Sequence, residues 1–310
     1  MSKKCFVGID GGGTKSIICA IDENGSILYK GYGGTTNIAS SSLDTVYENI
    51  LELFTKLKNN LPEIEILSVA IGTAGISLLD VKKNIENILF SITKCKCITV
   101  TSDIDILLNL YKGENRVFLI SGTGSICYSC NENNEKFRTG GYGHIFSDEG
   151  SGYSIACKIL NAIMQAKDGR SHNTILTQLF LDKANISSDD ELVNFIYSKN
   201  FDKKFIAGFG AIIDEAVVLG DTTAIDICNK TCDELYSLFK NCIDKINNEN
   251  KVHLVLCGSV LTKNLFIRNL LIDKIKANYN NVLICEEEVS PYILACEMGK
   301  NIYERYWCNN

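Results

Sequence analysis

The feature that most constrains the fold of this 310-residue chain is a glycine run set directly after a short apolar strand. Residues 5–9 are a strand-sized apolar run, residues 11–13 are glycines, and residues 16–21 resume a strand pattern. Glycines allow a tight turn, and their N–H groups can approach an anion closely. The motif GIDGGGTK has neither Walker A spacing nor the helix that follows a dinucleotide-binding turn. We therefore predict a phosphate-binding hairpin; the alternative is a plain glycine turn capped by Asp10.

The same arrangement returns later in the chain, where SGTGS at 121–125 lies between strand patterns at 117–120 and 126–130. One constant offset, the 109 positions between Thr14 and Thr123, aligns several identical residues. The aligned pairs are Thr14 with Thr123, Ser16 with Ser125, Glu23 with Glu132, Asn24 with Asn133 and, after a short gap, Phe6 with Phe118. Chance could supply some of these matches. The matching order of elements favours an internal duplication, with the second copy starting near 112–116.

Apolar spacing predicts an α/β protein of about two domains. Strands are expected at 27–32, 66–71, 97–100, 252–257 and 282–285, and helices at 43–58, 81–90, 152–166, 189–197, 204–219, 222–247 and from Pro291 onward. The net charge of −6 and the lack of a long basic run argue against partners such as nucleic acid or an anionic membrane. The apolar runs are strand-sized, so we expect no membrane span and a cytoplasmic protein.

The chain has 14 cysteines, and several lie in apolar strand or helix patterns, where cysteine behaves as a small hydrophobe. The close pairs Cys95/Cys97 and Cys127/Cys130 could ligate a metal, but neither has a second pair at zinc-site spacing. We therefore expect reduced thiols in the core.

Three groups of polar residues suit chemistry on phosphate and sugar. Asp10, at a strand end before the first glycine turn, could orient Mg²⁺ through its waters. The second turn, at 122–124, offers a further phosphate cradle. Asp103 follows the strand at 97–100 and suits a general base for a sugar hydroxyl, although a helix N-cap is an equally good local interpretation. Its neighbour Asp105 is expected to begin the next helix.

The segment GGYGHIFSDEGSG at 140–152 suits a binding loop, because such a segment is costly to order without a partner. Asp148 and Glu149 could accept hydrogen bonds from sugar hydroxyls, and Tyr142 could stack on an apolar sugar face. His144 is expected to be a structural hydrogen-bonding residue. Residues 35–37, Thr-Thr-Asn, are a possible polar wall of the same pocket.

The ordered set GIDGGGTK, TSDID, SGTGS, GGYGHIFSDEGSG and CGS resembles the BadF/BadG/BcrA/BcrD-type ATPase family, specifically its N-acetylglucosamine kinase branch. The resemblance spans essentially the whole chain. It implies an actin-like ATPase (ribonuclease H-like) fold in which two duplicated domains close on an ATP cleft. The implied domains are 1–113, joined by a returning C-terminal helix at 292–310, and 114–291.

The resemblance also implies roles for individual residues. The catalytic base is Asp103, and Asp10 faces the metal. The nucleotide-binding residues are Gly11, Gly12, Gly13, Thr14, Lys15, Gly122, Thr123, Gly124, Ala207, Gly258 and Ser259, with Ala207 and Gly258 on the adenine side. The sugar-binding residues are Thr36, Asn37, Asp103, Gly141, Tyr142 and Asp148. Tyr142 stands where relatives often carry Trp, which keeps the stacking role but changes the width of the pocket.

The implied activity is transfer of phosphate from ATP, with Mg²⁺, to the 6-hydroxyl of N-acetylglucosamine, N-acetylmuramic acid or both, in cell-wall sugar salvage. A homodimer is implied by the family alone. The alternative is the family's other branch, an ATPase that activates a radical dehydratase through an iron–sulfur cluster. No cysteine is placed for such a cluster, and the Asp103 and Asp148 motifs fit a sugar site.

Overall fold

The structure, a computed structural model, describes residues 3–12, 15–38, 41–73, 76, 79–198, 202–246, 249–285 and 290–307. The chain divides into two compact units, and the last helix belongs to the first of them. The first unit is Met1–Leu110 with Glu288–Asn310, and the second is Tyr111–Glu287. The domain limits expected from the sequence lie beside these divisions.

The structure confirms the α/β class. The strands are β1 (Lys3–Gly11), β2 (Ser16–Ile21), β3 (Ile27–Gly33), β4 (Ile64–Thr73), β5 (Ile98–Thr101), β6 (Asn115–Ser121), β7 (Ser125–Cys130), β8 (Lys136–Gly140), β9 (Val252–Cys257) and β10 (Val282–Cys285). The α-helices are α1 (Leu43–Asn60), α2 (Leu79–Thr93), α3 (Asp103–Leu107), α4 (Gly152–Lys167), α5 (Leu176–Ala184), α6 (Leu192–Ser198), α7 (Lys203–Gly208), α8 (Ile213–Val218), α9 (Thr222–Ile243), α10 (Ser259–Lys263), α11 (Leu265–Asn278) and α12 (Pro291–Trp307).

The two units contain sheets of the same topology. In the first, the order is β3-β2-β1-β4-β5, and in the second it is β8-β7-β6-β9-β10. In each sheet the first three strands form antiparallel hairpins, and the other two run parallel to the central strand. The parallel strands therefore end at the same edge as the glycine turn, which places the turn and the following loops together.

The turns between the second and third strand of each unit are equivalent in detail. The N–H of Asp22 donates to the carbonyl of Ser26, and the N–H of Asn131 donates to the carbonyl of Glu135. The fourth residue of each turn has a left-handed backbone, with φ +84° at Gly25 and φ +63° at Asn134. Asparagine and glycine tolerate this region better than other residues. The shared turn supports the duplication at the offset expected from the sequence.

One part of the expected alignment is wrong. Strand β1 pairs Gly8 with Cys19, and β6 pairs Phe118 with Tyr128. Since Cys19 and Tyr128 correspond at the shared offset, Phe118 is the counterpart of Gly8 and not of Phe6. Phe6 and Phe118 are thus identical in residue type but occupy different positions in the hairpin register.

Several elements differ from the expected ones. Strand β8 and helices α5, α10 and α11 were not predicted, because their segments are short or lack a strong apolar period. The expected helix at 204–219 is divided into α7, a 3₁₀ turn at Phe209–Ile212 and α8. No α-helix among the described residues is long and apolar enough to cross a membrane.

Most of the described cysteines are buried and none of them forms a disulfide. Cys5, Cys19 and Cys296 are core residues, as expected, whereas Cys257 is only partly buried. Within the described ranges, no group of three or more His, Cys, Asp or Glu residues is arranged to hold a metal ion.

Helix α12 packs so closely on β1 that the contact depends on a glycine. A Cβ built on Gly8 would lie 2.4 Å from the backbone nitrogen of Cys296 and 2.4 Å from the carbonyl oxygen of Tyr292. Neither backbone atom can rotate away, so strand and helix would have to separate. Gly299 lies on the same helix, but its Cβ would first meet the Ser68 Oγ at 2.7 Å.

We expect Gly8→Ala to lower the thermal unfolding midpoint markedly, by an overpacking cost of about 1–3 kcal/mol or more. Gly299→Ala is the matched variant and should cost less, because a side-chain oxygen can move. Differential scanning calorimetry of the two variants checks this. Equal midpoints for Gly8→Ala and the parent protein would contradict the packing of α12 on β1.

Candidate active site

The first part of the site is a row of residues at the ends of three parallel strands. Asp10 on β1 pairs in register with Gly72 on β4, and Gly72 pairs with Thr101 on β5. Adjacent strands lie about 4.8 Å apart, so the loops that follow begin within two strand widths of each other. Asp103 comes directly after this row, on the first turn of α3.

Helix α3 is started by a serine and not by Asp103. The Ser102 side chain accepts a hydrogen bond from the Asp105 N–H at 3.0 Å, so Ser102 is the N-cap. The N-cap interpretation of Asp103 is therefore wrong, as is the expectation that Asp105 begins the helix. The Asp105 carboxylate accepts from the Thr101 hydroxyl at 3.0 Å. The Asp103 carboxylate therefore does not cap the helix, and it accepts a 3.0 Å hydrogen bond from the Ile104 N–H.

A glycine allows α3 to approach β4. A Cβ on Gly72 would lie 2.3 Å from the Ile106 Cδ1 and 3.2 Å from the Asp103 Cα. The absence of a side chain at this position therefore fixes how close Asp103 lies to the strand ends.

Asp10 and Asp103 are electrostatically coupled. Burial raises the pKa of the Asp10 carboxyl from 3.8 to about 6, and the negative charge of Asp103 adds to the rise, while Lys15 opposes it. Burial also raises the pKa of Asp103, against hydrogen bonds from the backbone. Burial that raises the pKa of two neighbouring carboxyl groups destabilises their charged forms. A nearby cation or a bound proton offsets this cost.

The Thr35–Asn37 segment is held beside this row by its own hydroxyl groups. Thr36 is fully buried, and its side chain lies 3.3 Å from the Ser16 Oγ and 3.4 Å from the Thr73 Oγ1. The Thr35 hydroxyl donates to the carbonyl of Gly12 at 3.0 Å. The segment is therefore tied to the first glycine turn. Asn37 is partly exposed, whereas Thr36 has no free surface in this structure and braces the segment from inside.

The first glycine turn is described at its ends only. Gly11 ends β1, the Gly12 N–H donates to the Lys15 carbonyl at 3.1 Å, and the Lys15 side chain is exposed. Gly13 and Thr14, which were predicted to contact phosphate, lie outside the described residues.

The second glycine turn, in the other unit, is clamped by the acidic end of the segment at 140–152. The Ser121 hydroxyl donates to the carbonyl of Gly150 at 2.6 Å, and the Gly152 N–H donates to the carbonyl of Gly122 at 2.8 Å. The Ser125 hydroxyl donates to the Glu149 carbonyl at 2.5 Å. SGTGS and SDEGSG, two separate motifs in the sequence, therefore form one hydrogen-bonded structure.

Asp148 is the anchor of this clamp. It is only 4% exposed and has a left-handed backbone, φ +70°. Its carboxylate accepts from the Ser125 N–H at 3.3 Å and forms an ion pair with the Lys203 ammonium at 2.5 Å. A Cβ on Gly124 would lie 3.0 Å from atoms of both charged groups, so the pair lies against the turn. The predicted sugar contact of Asp148 stays a prediction, and in this structure its oxygens bind Lys203 and the turn.

A cavity of about 360 Å³ opens beside the second turn. The predicted nucleotide residues Gly122, Thr123, Ala207 and Ser259 line it. Gly258 positions its wall, because its φ is +86° and a Cβ there would lie 2.3 Å from the Ser121 carbonyl oxygen. Ala207, Gly208, Gly210 and Ala211, which are small residues of α7 and the 3₁₀ turn, line the same cavity, as does Ser259, the first residue of α10.

Sequence reasoning missed several residues of this cavity: Lys204, Gly208, Gly210, Asp214, Lys263 and Asn264. Lys263 could have been found, since it lies four residues after Ser259 and thus on the same helical face. Asp214 and Asn264 pair with each other across 50 positions of sequence, which no local pattern reveals. Lys203 was missed for the same reason.

The remaining sugar candidates lie on the loop after β8. Gly140 and Gly141 have φ of +74° and +73°, and a Cβ on Gly141 would lie 2.3 Å from the Ile126 Cδ1. Tyr142 is 65% exposed, with the Arg138 guanidinium 4.8 Å from its ring centroid. His144 packs edge-on against Tyr153 at 5.0 Å. The first unit therefore holds Thr36, Asn37 and Asp103, and the second holds Gly141, Tyr142 and Asp148.

The chain belongs to the BadF/BadG/BcrA/BcrD ATPase family, whose family model matches residues 7–295. It is 33% identical over 288 residues to an N-acetylmuramic acid/N-acetylglucosamine kinase from Clostridium acetobutylicum, covering 91% of this chain and 93% of that protein. An N-acetyl-D-glucosamine kinase from Dictyostelium discoideum is 29% identical over 316 residues, covering 97% of this chain and 99% of that one.

Solved structures share the fold. A Chromobacterium violaceum protein proposed to be an N-acetylglucosamine kinase superposes with a TM-score of 0.74 at 15% identity, over 98% of this chain and 99% of that chain. A ROK family glucokinase from Streptomyces griseus, solved with glucose and AMPPNP, gives 0.57 at 14% identity, over 96% and 99%. These similarities confirm the actin-like ATPase fold.

We expect Asp10→Asn to stabilise the protein at pH 7.5 when divalent cations are absent. Between pH 3.8 and about 6 the folded state keeps a proton that the unfolded state has lost, so the parent's free energy of unfolding falls as pH rises. The gain of the variant should reach at most about 3 kcal/mol above pH 6 and shrink towards pH 4. Thermal midpoints across this range, with the exposed Asp226→Asn as control, measure it. A difference in thermal midpoint between Asp10→Asn and the parent that does not change with pH would contradict the raised pKa assigned to Asp10.

We expect Lys203→Met to destabilise the second unit by roughly 1–3 kcal/mol, because it leaves the buried Asp148 charge unpaired. The double variant Lys203→Met/Asp148→Asn should recover most of this loss. Lys204→Met, a change of the exposed neighbour, serves as control. Thermal midpoints of the three variants test the pair, and a double variant no more stable than Lys203→Met would rule it out.

Proposed function

We propose that this protein is an ATP-dependent kinase that phosphorylates the 6-hydroxyl of N-acetylglucosamine and N-acetylmuramic acid. The observation that carries the proposal is the similarity, over 91% of the chain, to a relative named as a kinase of both sugars. The chain is thus an enzyme, a phosphotransferase with an alcohol group as acceptor. The chemical properties of the individual site residues also support the proposed kinase activity.

ATP is the phosphate donor in this proposal. The N–H groups of Thr123 and Gly124 are suited to its phosphates, whereas the Gly122 N–H donates to the Gly124 carbonyl at 2.9 Å and closes the turn. Lys204 and Lys263 add positive charge to the same cavity. Ala207 and Gly208 leave a flat, small-residue surface that fits the adenine ring. We also propose that the first turn binds phosphate, with Gly13, Thr14 and the exposed Lys15 side chain as the contacts. Gly11 and Gly12 shape this turn, since Gly11 pairs with Ser16 and the Gly12 N–H donates to the Lys15 carbonyl.

Asp103 is the proposed general base. It accepts the proton of the sugar hydroxyl as that oxygen attacks the γ-phosphorus and the bond to the β-phosphate oxygen breaks, releasing ADP. The raised pKa of Asp103 suits this role, since a more basic carboxylate takes a proton more readily. Ser102 supports it by capping α3, which holds the carboxylate in place.

The residues of the first unit fit a divalent cation. Asp10 is a half-buried carboxylate whose pKa is raised first by burial and then by the negative charge of Asp103, and hard cations prefer oxygen ligands of this type. We propose that Asp10 holds Mg²⁺, directly or through water. When bound, Mg²⁺ neutralises phosphate charge as the phosphoryl group transfers.

Sugar-binding roles are proposed for Asn37 and Asp103 in the first unit and, separately, for Gly141, Tyr142 and Asp148 in the second. Thr36 acts from inside, because it is buried and holds the loop that carries Asn37. Homodimer formation and a cytoplasmic location stay predictions.

A coupled ADP-release assay with Mg-ATP tests the proposal against glucose, glucosamine, N-acetylglucosamine and N-acetylmuramic acid. ADP release should depend on an N-acetylated sugar. Release with no sugar dependence would contradict the proposal and favour an activator-type ATPase.

We expect Asp103→Asn to depress turnover by roughly two to four decades while sugar binding stays largely intact, because an amide cannot accept the proton. Asp105→Asn is the matched control: it lies two residues away, and an amide oxygen can still accept from Thr101. Turnover numbers from the same assay and sugar affinities from calorimetry separate the two effects. Turnover within a few-fold of the parent's would remove Asp103 from its role.

A further inference from the structure

We propose that Arg138 is the residue that recognises the carboxylate of a 3-O-lactyl amino sugar such as N-acetylmuramic acid, and so extends the substrate range beyond neutral sugars. The inference rests on the proposed function, because it takes Gly141 and Tyr142 as sugar-binding residues. It concerns a residue that neither the motifs nor the relatives assign.

Arg138 is attached to the predicted sugar segment by three contacts. Its Nε donates to the carbonyl of Gly140 at 3.1 Å, its Nη2 donates to the carbonyl of Gly141 at 2.6 Å, and its guanidinium carbon lies 4.8 Å from the Tyr142 ring centroid. The left-handed backbone at both glycines turns the chain back over the arginine. Any ligand that contacts Gly141 and Tyr142 therefore meets this cation.

The guanidinium keeps its charge and part of its hydrogen-bonding capacity. Arginine has five N–H donors, and the two bonds to Gly140 and Gly141 occupy two of them. No carboxylate among the described residues forms an ion pair with it. The Arg138 side chain is exposed, and the ammonium of Lys245 lies 3.5 Å from the Arg138 carbonyl oxygen, which adds positive charge.

The chemistry of the Arg138 guanidinium and its distance from the predicted sugar position both suit a lactyl carboxylate. A sugar stacked on Tyr142 would lie about 4 Å from the ring, and the guanidinium lies 4.8 Å from the ring centroid. A lactyl group that extends past the edge of the ring can therefore bring its carboxylate towards the guanidinium. N-acetylmuramic acid differs from N-acetylglucosamine by an ether-linked lactyl group that carries a carboxylate outward from O3. A planar guanidinium matches a carboxylate with two parallel hydrogen bonds. In a chain of net charge −6, an anionic sugar needs such a local cation.

The competing explanation is that Arg138 only braces the glycine turn. A brace would affect all sugars alike, whereas a carboxylate contact affects only the acidic one. The test therefore compares substrates within each variant. It uses N-acetylglucosamine, N-acetylmuramic acid and the methyl ester of N-acetylmuramic acid, which keeps the lactyl bulk and lacks the charge.

In Arg138→Gln, the ratio of kcat/KM for N-acetylmuramic acid to that for N-acetylglucosamine should fall about ten- to hundredfold, mainly through KM. Arg138→Lys should keep part of the ratio, because it keeps the charge. Lys136→Gln is the matched control, since Lys136 is exposed on the same face of β8 and also carries one positive charge. Its ratio should equal the parent's.

The ester gives a readout that does not depend on how well a variant folds. The parent protein should prefer the acid to the ester, and Arg138→Gln should lose this preference. An unchanged ratio in Arg138→Gln, equal losses for acid and ester, or a parent that phosphorylates only N-acetylglucosamine would each overturn the proposal for Arg138 and leave the kinase assignment intact. ADP release without any sugar dependence would overturn the proposed function itself.

Discussion

The structure depends most on hydrogen bonds, chiefly from serine and threonine hydroxyls to backbone carbonyls, that tie a glycine hairpin to the loops beside it in each unit. In the second unit, SGTGS is held by the carbonyls and N–H groups of residues 149–152, and the buried Asp148–Lys203 pair lies against it. A glycine turn without such support would be too mobile to present N–H groups to a phosphate. The clamp fixes the backbone of the turn, and in the proposed function this fixed backbone is the preorganised anion site that phosphoryl transfer requires.

The first unit uses the same sheet for a different purpose. At its strand ends lie two coupled carboxylates, Asp10 and Asp103, whereas the second unit has Ile120 at the hairpin position that corresponds to Asp10. Gly72 allows α3 to lie close, and Ser102 caps the helix, so that Asp103 does not serve as the cap. One topology therefore supports a pair of coupled carboxylates in the first unit and a cavity lined by glycines and lysines in the second. This difference between the units arises from a few residues at and after the strand ends, because the two sheets have the same strand order.

Much of the fold was predictable, because apolar periodicity and glycine turns are local signals. The hairpin strands β1, β2, β3, β6 and β7, the later strands and the repeat offset follow from them, and the equivalent turns at Asp22 and Asn131 bear out that offset. Strand β8 was not predicted. Longer-range features were not predictable. Lys203 pairs with Asp148 across 55 positions, and Asn264 pairs with Asp214 across 50, and neither leaves a pattern in the sequence. The Phe118 alignment failed because residue identity was weighed without strand register. The buried state of Thr36 likewise depends on Ser16 and Thr73, which only the folded chain brings together.

The central claim is that this site transfers phosphate to a sugar hydroxyl, and identification of the product tests it most directly. After incubation with Mg-ATP and N-acetylglucosamine, mass spectrometry and phosphorus NMR with proton coupling would locate any phosphate on the sugar. The account predicts one phosphate, attached at O6, formed in equal amount to ADP. ADP accompanied by unmodified sugar and free phosphate would contradict it.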